Sequence, residues 1–253
     1  MPHLDINRAR FLRIAYESDV GDPERAGIGT YKEKKLHRIL KRYFDEDVAH
    51  QEVPLEGFVA DICSGGEIIE IQTSGFASMG DKLEAFLPQY SVTVVYPIAM
   101  TKWVCWIDPA TGEFSEKHRS PKKGRLLDAI PELVRILPFL EDPHLTIRAV
   151  LLEMDEYRLQ DGKRSRSGKR GSHRFERIPV DLYEIFDFRT SADYAAQLPP
   201  LPDPFTSADF AAACRLRGRN ISAALKVLEK VRVIERIGKR GNAILYRILV
   251  GTE

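Results

Sequence analysis

The chain has 253 residues, 43% hydrophobic and 30% charged, which exceeds the ~150 residues of an average domain and is enough to build a substantial core. No apolar run approaches the ~20 residues of a membrane span, the first residues mix charges where an export signal would be apolar, and the cysteines Cys63, Cys105 and Cys214 form no CxxC pair; a membrane span, a disulfide scaffold and a cysteine zinc cluster are excluded, and a cytoplasmic location is expected. The net charge of +1 hides an uneven distribution: residues 203–253 carry ten Lys/Arg against five acids and residues 161–177 seven against two, so the rest of the chain is acidic, and two basic blocks beside an acidic body suit a phosphate-rich partner.

In chain order, residues 27–44 place Leu36, Ile39, Leu40, Tyr43 and Phe44 at three-and-four spacing. The pattern predicts an amphipathic helix, with Thr30 as N-cap and Glu33 completing a capping box. Two β-rich runs follow, 55–62 and 67–73, separated by CSGGE, whose glycines suit a hairpin turn. Phe76, Met79, Leu83, Phe86 and Leu87 then fall on one face of a second helix ended by Pro88. The run 91–99 is nearly all apolar, as expected of a strand buried on both faces, and KWVCWID follows as another strand. Residues 120–140 carry a third helical pattern, and 145–154 a further strand. Residues 161–174 contain no apolar side chain and predict an exposed loop or β-hairpin tip. Prolines at 199, 200, 202 and 204 predict a stiff linker. Beyond it, Thr206 or Ser207 caps a short alanine-rich helix, a second helix carries Ile221, Ala224, Leu225 and Leu228 inward, and an alternating pair of strands turns around Lys239, Arg240, Gly241 and Asn242.

Chemistry concentrates on the first hairpin. Asp61 ends one strand, Glu70 sits in the next, and Gln72, two residues on, shares a face with Glu70. Two carboxylates converging at a sheet end are hard oxygen ligands suited to Mg²⁺ or Mn²⁺, and such an ion activates water for phosphodiester hydrolysis. Glu52, with His50 two residues before it, could extend the site as an additional acid. Acids at hairpin ends are more often simply solvated. Glu70, however, is flanked by Ile68, Ile69 and Ile71, where an unpaired carboxylate costs several kcal/mol and calls for a cation or donor. The histidines lack zinc spacing, Gly27 and Gly29 lack the remainder of a phosphate loop, and no Ser or Cys triad has support beyond its residue types.

The sequence ADI…EIIEIQ, with a helix before it and an amphipathic helix after it, resembles the PD-(D/E)xK nuclease superfamily in its ExQ variant. The resemblance covers about residues 27–108. It implies an α/β (α+β) restriction-endonuclease-like fold with a mixed central sheet flanked by helices, Asp61 and Glu70 as metal ligands, Gln72 at the position usually held by a catalytic lysine, and Glu33 as an assisting acid on the first helix. Some active members keep Gln there and others recruit a lysine from the following helix, which makes Lys82 a candidate and Lys102 a weaker one.

The helix pair and basic-tipped hairpin at 205–253 resemble a winged helix-turn-helix, with 191–198 as a further helix. DNA-binding candidates are Arg215, Arg217, Arg219, Asn220 and Lys226 around the second helix, Lys239 and Arg240 at the wing tip, and Lys169 and Arg170 in the basic loop. A solvated basic face on a protein-interaction module is the alternative. The expected organisation is a nuclease domain over 1–198, a Pro-rich linker over 199–204 and a winged helix over 205–253. The function expected is a Mg²⁺- or Mn²⁺-dependent DNA endonuclease; a DNA-binding regulator or scaffold with an inactive nuclease-like domain is the competing reading. A homodimer and a partner protein of a larger DNA-processing system are both open.

Overall fold

A computed structural model describes residues 6–20, 34–73, 75–164 and 170–249. A seven-stranded mixed sheet forms the centre, in the order β1-β2-β3-β4-β6-β7 with β5 on the edge of β4. The strands are β1 (Gln51–Leu55), β2 (Phe58–Ser64), β3 (Glu67–Ile71), β4 (Ser91–Ile107), β5 (His118–Arg119), β6 (Leu145–Arg164) and β7 (Arg170–Phe188). β1, β2 and β3 form an antiparallel meander, β3 runs parallel to β4, β4 parallel to β6, and β6 and β7 close an antiparallel hairpin.

Side chains alternate across β4, so Val94 and Val95 enter opposite cores. On one face lie α1 (Arg8–Val20) and α2 (Lys35–Phe44), which bury Phe11, Ile14, Leu36, Ile39 and Leu40 against Ile71, Val150 and Leu182. On the other lie α3 (Met79–Phe86) and a 3₁₀ stretch at Leu126–Phe139. Cover on both sides explains the near-continuous apolar run of β4.

The C-terminal part contains α4 (Ser191–Ala195), β8 (Phe205–Thr206), α5 (Ser207–Cys214), α6 (Arg219–Lys230), β9 (Ile234–Arg240) and β10 (Ala243–Ile248). Its small sheet has the order β8-β10-β9. Thr206 caps α5 through a reciprocal box with Asp209. The segment 199–204 has neither helix nor strand, yet the C-terminal part is not held by it alone. α6 packs along the 3₁₀ stretch, Phe205, Phe210, Leu225 and Leu228 share one core with Leu133 and Ile136, Arg125 Nη1 donates to the Cys214 carbonyl at 3.0 Å, and Glu141 pairs with Lys230 at 2.5 Å and Arg232 at 3.1 Å.

Several expectations need correction. The first predicted helix starts at Lys35 with Lys34 as a cap that has no side-chain bond, and Thr30 and Glu33 fall outside the described residues. The run expected as one strand over 55–62 is broken by a turn at Glu56 and Gly57, both with positive φ, which creates the separate strand β1. The third predicted helix is a 3₁₀ stretch with Pro131 and Pro138 inside it, because proline removes the donors an α-helix needs there. The two strands expected over 91–108 are one, β4, interrupted only by a register shift between Ala99 and Thr101. Residues 161–164 and 170–174 extend the β6–β7 hairpin, and 165–169 are not described.

Candidate metal and phosphate site

β2 and β3 pair from Ser64↔Glu67 through Ile62↔Ile69. The same register would set Asp61 opposite Glu70, but there backbone pairing gives way to side chains. Asp61 Oδ2 accepts from the Ile71 amide at 2.7 Å, and Glu70 Oε1 accepts from the Asp61 amide at 3.4 Å. β3 meanwhile remains paired with β4 through Ile71↔Val95, and Gln72 continues that ladder by donating its amide to Val95 at 2.8 Å. The strands thus open at the two carboxylates, and Gln72 lies just past the end of β3.

Lys82 reaches this point from α3. Its Nζ lies 2.9 and 2.7 Å from the two Glu70 oxygens and 2.7 Å from the Val59 carbonyl. His37 of α2 arrives from the opposite side, with Nε2 3.0 Å from Asp61 Oδ2. Among the described residues, Asp61 Oδ1 has no hydrogen bond.

The two acids are electrostatically unlike. Glu70 is 1% exposed; burial, and then the charge of Asp61, push its pKa to about 7 despite the opposing bonds from Lys82. Burial also raises Asp61, but the His37 bond and charge, the Ile71 amide and Lys82 outweigh it and hold the carboxyl below its ordinary value. Each acid thus has its own partner, Lys82 for Glu70 and His37 for Asp61, and a divalent cation would have to displace or supplement these donors to bind both carboxylates. No group of three or more His, Cys, Asp or Glu among the described residues forms a ready-made metal cage. Mg²⁺ does not require one, since one or two carboxylates with water and phosphate suffice.

Other expected contributors have partners of their own, although Glu52 falls beside Asp61 in the β1–β2 register. His50 sits in a 3₁₀ turn and bonds Asp45 at 2.8 Å. Glu52 has φ 53, which breaks the alternation needed to aim it with His50, and it pairs with Lys41 at 2.5 Å. Lys102 pairs with the buried Glu156 at 3.2 Å. His37 was not anticipated; the signal was its place on the amphipathic helix that precedes the hairpin. Arg177 was also missed: its Nη2 donates to the carbonyl of Thr73, next to Gln72. Burial, and then the neighbouring Arg174, lower its pKa to about 10.

In the C-terminal part, Arg215 and Arg217 lie in the exposed turn before α6, Arg219 is exposed on its first turn, Asn220 is half-buried, and Lys226 is exposed. Lys239 and Arg240 are exposed beside the Gly241–Asn242 turn. Lys169 lies outside the described residues, and Arg170 is described by its backbone alone, paired with Arg164. An open groove of about 520 Å³, lined by Met100, Arg125, Leu198 and Ala213 among others, contains neither carboxylate.

A family profile matches residues 34–189. The chain belongs to that family, the domain of unknown function DUF8091. Its bounds run from the cap of α2 to just past the end of β7, so DUF8091 here holds the sheet and every residue of the Asp61–Glu70 site. An uncharacterized protein of Treponema pallidum (strain Nichols) is 31% identical over 224 residues, 87% of each chain, a similarity longer than the DUF8091 region itself. No solved structure matches.

Proposed function

We propose that this chain is a metal-dependent deoxyribonuclease of the PD-(D/E)xK kind, positioned on duplex DNA by a C-terminal winged helix. The observation that carries the reading is the meeting of Asp61 and Glu70 where β2 and β3 open, with Lys82 from the next helix on the second carboxylate. The succession α2, antiparallel β1–β2–β3, α3, parallel β4 agrees with it. So does α4–β8–α5–α6–β9–β10, with a three-stranded sheet and an exposed stripe of Arg219, Ser222 and Lys226 on α6. Free cysteines fit a cytoplasmic setting.

Asp61 and Glu70 would hold Mg²⁺ or Mn²⁺, which supplies charge to the phosphate oxygens and an activated water. His37 keeps Asp61 ionised. Lys82, once released from Glu70, is the donor that orients water or steadies the developing charge, and Gln72 orients from just past the end of β3. Arg215, Arg217, Arg219, Lys226, Lys239 and Arg240 fix the duplex through its phosphates.

The closure of Lys82 on both Glu70 oxygens favours a second reading, a DNA-binding regulator with an inactive site. Calorimetric titration with Mn²⁺ separates the two. A binding signal lost in Glu70→Ala supports the nuclease, and no binding to the wild-type chain supports the regulator.

A further inference from the structure

Four cations gather on one side of the long β4–β6–β7 arm: Lys102 on β4, Arg158 on β6, and Arg174 and Arg177 on β7. Cross-strand pairing brings them together, with Glu156 opposite both Val104 and Arg177, and Arg158 opposite both Trp106 and Arg174. One buried carboxylate serves three of them: Glu156 lies 3.2 Å from Lys102, 2.7 Å from Arg158 and 3.7 Å from Arg174. Arg158 also lies over the Trp106 ring, its guanidinium carbon 5.8 Å from the centroid.

Arg177 is the member with no acid in direct contact. Among the described residues it forms no ion pair, its Nε is buried without a partner, and its Nη2 bonds the Thr73 carbonyl. Glu156, opposite it on β6, and then Glu176 lend it negative charge, yet neither forms a salt bridge with Arg177 among the described residues. A largely desolvated guanidinium with no carboxylate in direct contact is costly, and a guanidinium donor left over from the Thr73 bond suits a phosphate oxygen. Thr73 lies three residues past Glu70, at most about 10 Å of chain, or at most about three nucleotide steps at 3.4 Å per strand.

We propose that Arg177, backed by Arg174, Lys102 and Arg158, is a phosphate-binding site that holds the DNA backbone within a few nucleotides of the bond cut at Asp61 and Glu70. This rests on the nuclease reading. The site is built into the DUF8091 region, independent of the C-terminal basic residues.

The test is fluorescence-anisotropy titration of a labelled duplex oligonucleotide over a range of salt concentrations without divalent metal, beside cleavage of the same duplex with Mn²⁺. Arg177→Gln, which removes the charge and keeps a polar amide, should bind about tenfold more weakly and lower the salt slope by about one. Arg177→Lys should restore the slope but not the full affinity. Arg174→Gln, at an exposed position that leaves folding intact, should weaken binding in the same direction. Wild-type affinity and slope in a folded Arg177→Gln protein overturn the site even if the duplex is cleaved, as does a wild-type chain that binds no duplex. Arg177-dependent binding without Mn²⁺-dependent cleavage keeps the phosphate site and overturns the nuclease reading.

Discussion

Glu70 is the residue on which the chemistry and the stability of the chain meet. Its carboxyl titrates near 7 in the folded state and from a reference value of 4.5 otherwise, so between those values the folded chain holds the extra proton. Its contribution to stability is complete below about pH 4.5 and is lost as pH rises through 7. Melting curves of the metal-free chain should therefore show this loss, Glu70→Gln should remove it, and saturating Mn²⁺ should protect the wild type at pH 8 far more than at pH 5.5. An unchanged pH profile in Glu70→Gln would contradict the environment described for this side chain. The meeting of Asp61, Glu70 and Lys82 was legible in the sequence, because strand order and one helical turn place them relative to a hairpin. His37 and Arg177 were not, since each reaches the site from an element distant in sequence. The shared aim of His50 and Glu52 was misread because the positive φ of Glu52 is invisible to a pattern of alternation.

Among the elements, the predicted helices and strands survive where apolar periodicity is strong, as in α2, α3 and β4. They change where backbone chemistry overrides it: prolines convert the stretch at Leu126–Phe139 to 3₁₀ geometry, and the Glu56–Gly57 turn divides a run that reads as one strand. The β6–β7 hairpin is held near its base by Arg148 and Asp187, a bidentate pair at 2.7 and 2.9 Å with both side chains largely buried, joined by Arg189 at 3.1 Å. Asp187→Ala strands the Arg148 charge and should cost about 3–5 kcal/mol, read as a shift in the urea midpoint; a change below about 1 kcal/mol would remove this pair from the account. At the contact of α6 with the 3₁₀ stretch, Leu228→Ala should cost about 2–5 kcal/mol, and by weakening both elements together it should shift one transition without splitting it.

At the scale of the whole molecule, composition separates two basic blocks from an acidic body, but only the fold shows what each lies beside. The block at 161–177 closes on the end of β3 through Arg177, and the C-terminal block decorates a part whose core is continuous with the sheet. The proline composition of 199–204 suggested a stiff linker between two domains, whereas packing against the 3₁₀ stretch, which no local pattern encodes, joins the two parts. Calorimetry of the full chain should accordingly give one cooperative unfolding transition, and two separated transitions would contradict the shared core. The central claim, that Asp61 and Glu70 together hold a divalent ion for phosphodiester hydrolysis, is tested most directly by incubating plasmid DNA with the wild-type chain and Asp61→Ala, with and without Mn²⁺. The account predicts Mn²⁺-dependent cleavage by the wild type, lost at least a thousandfold in an Asp61→Ala protein that still folds and binds DNA; cleavage retained in Asp61→Ala would contradict it.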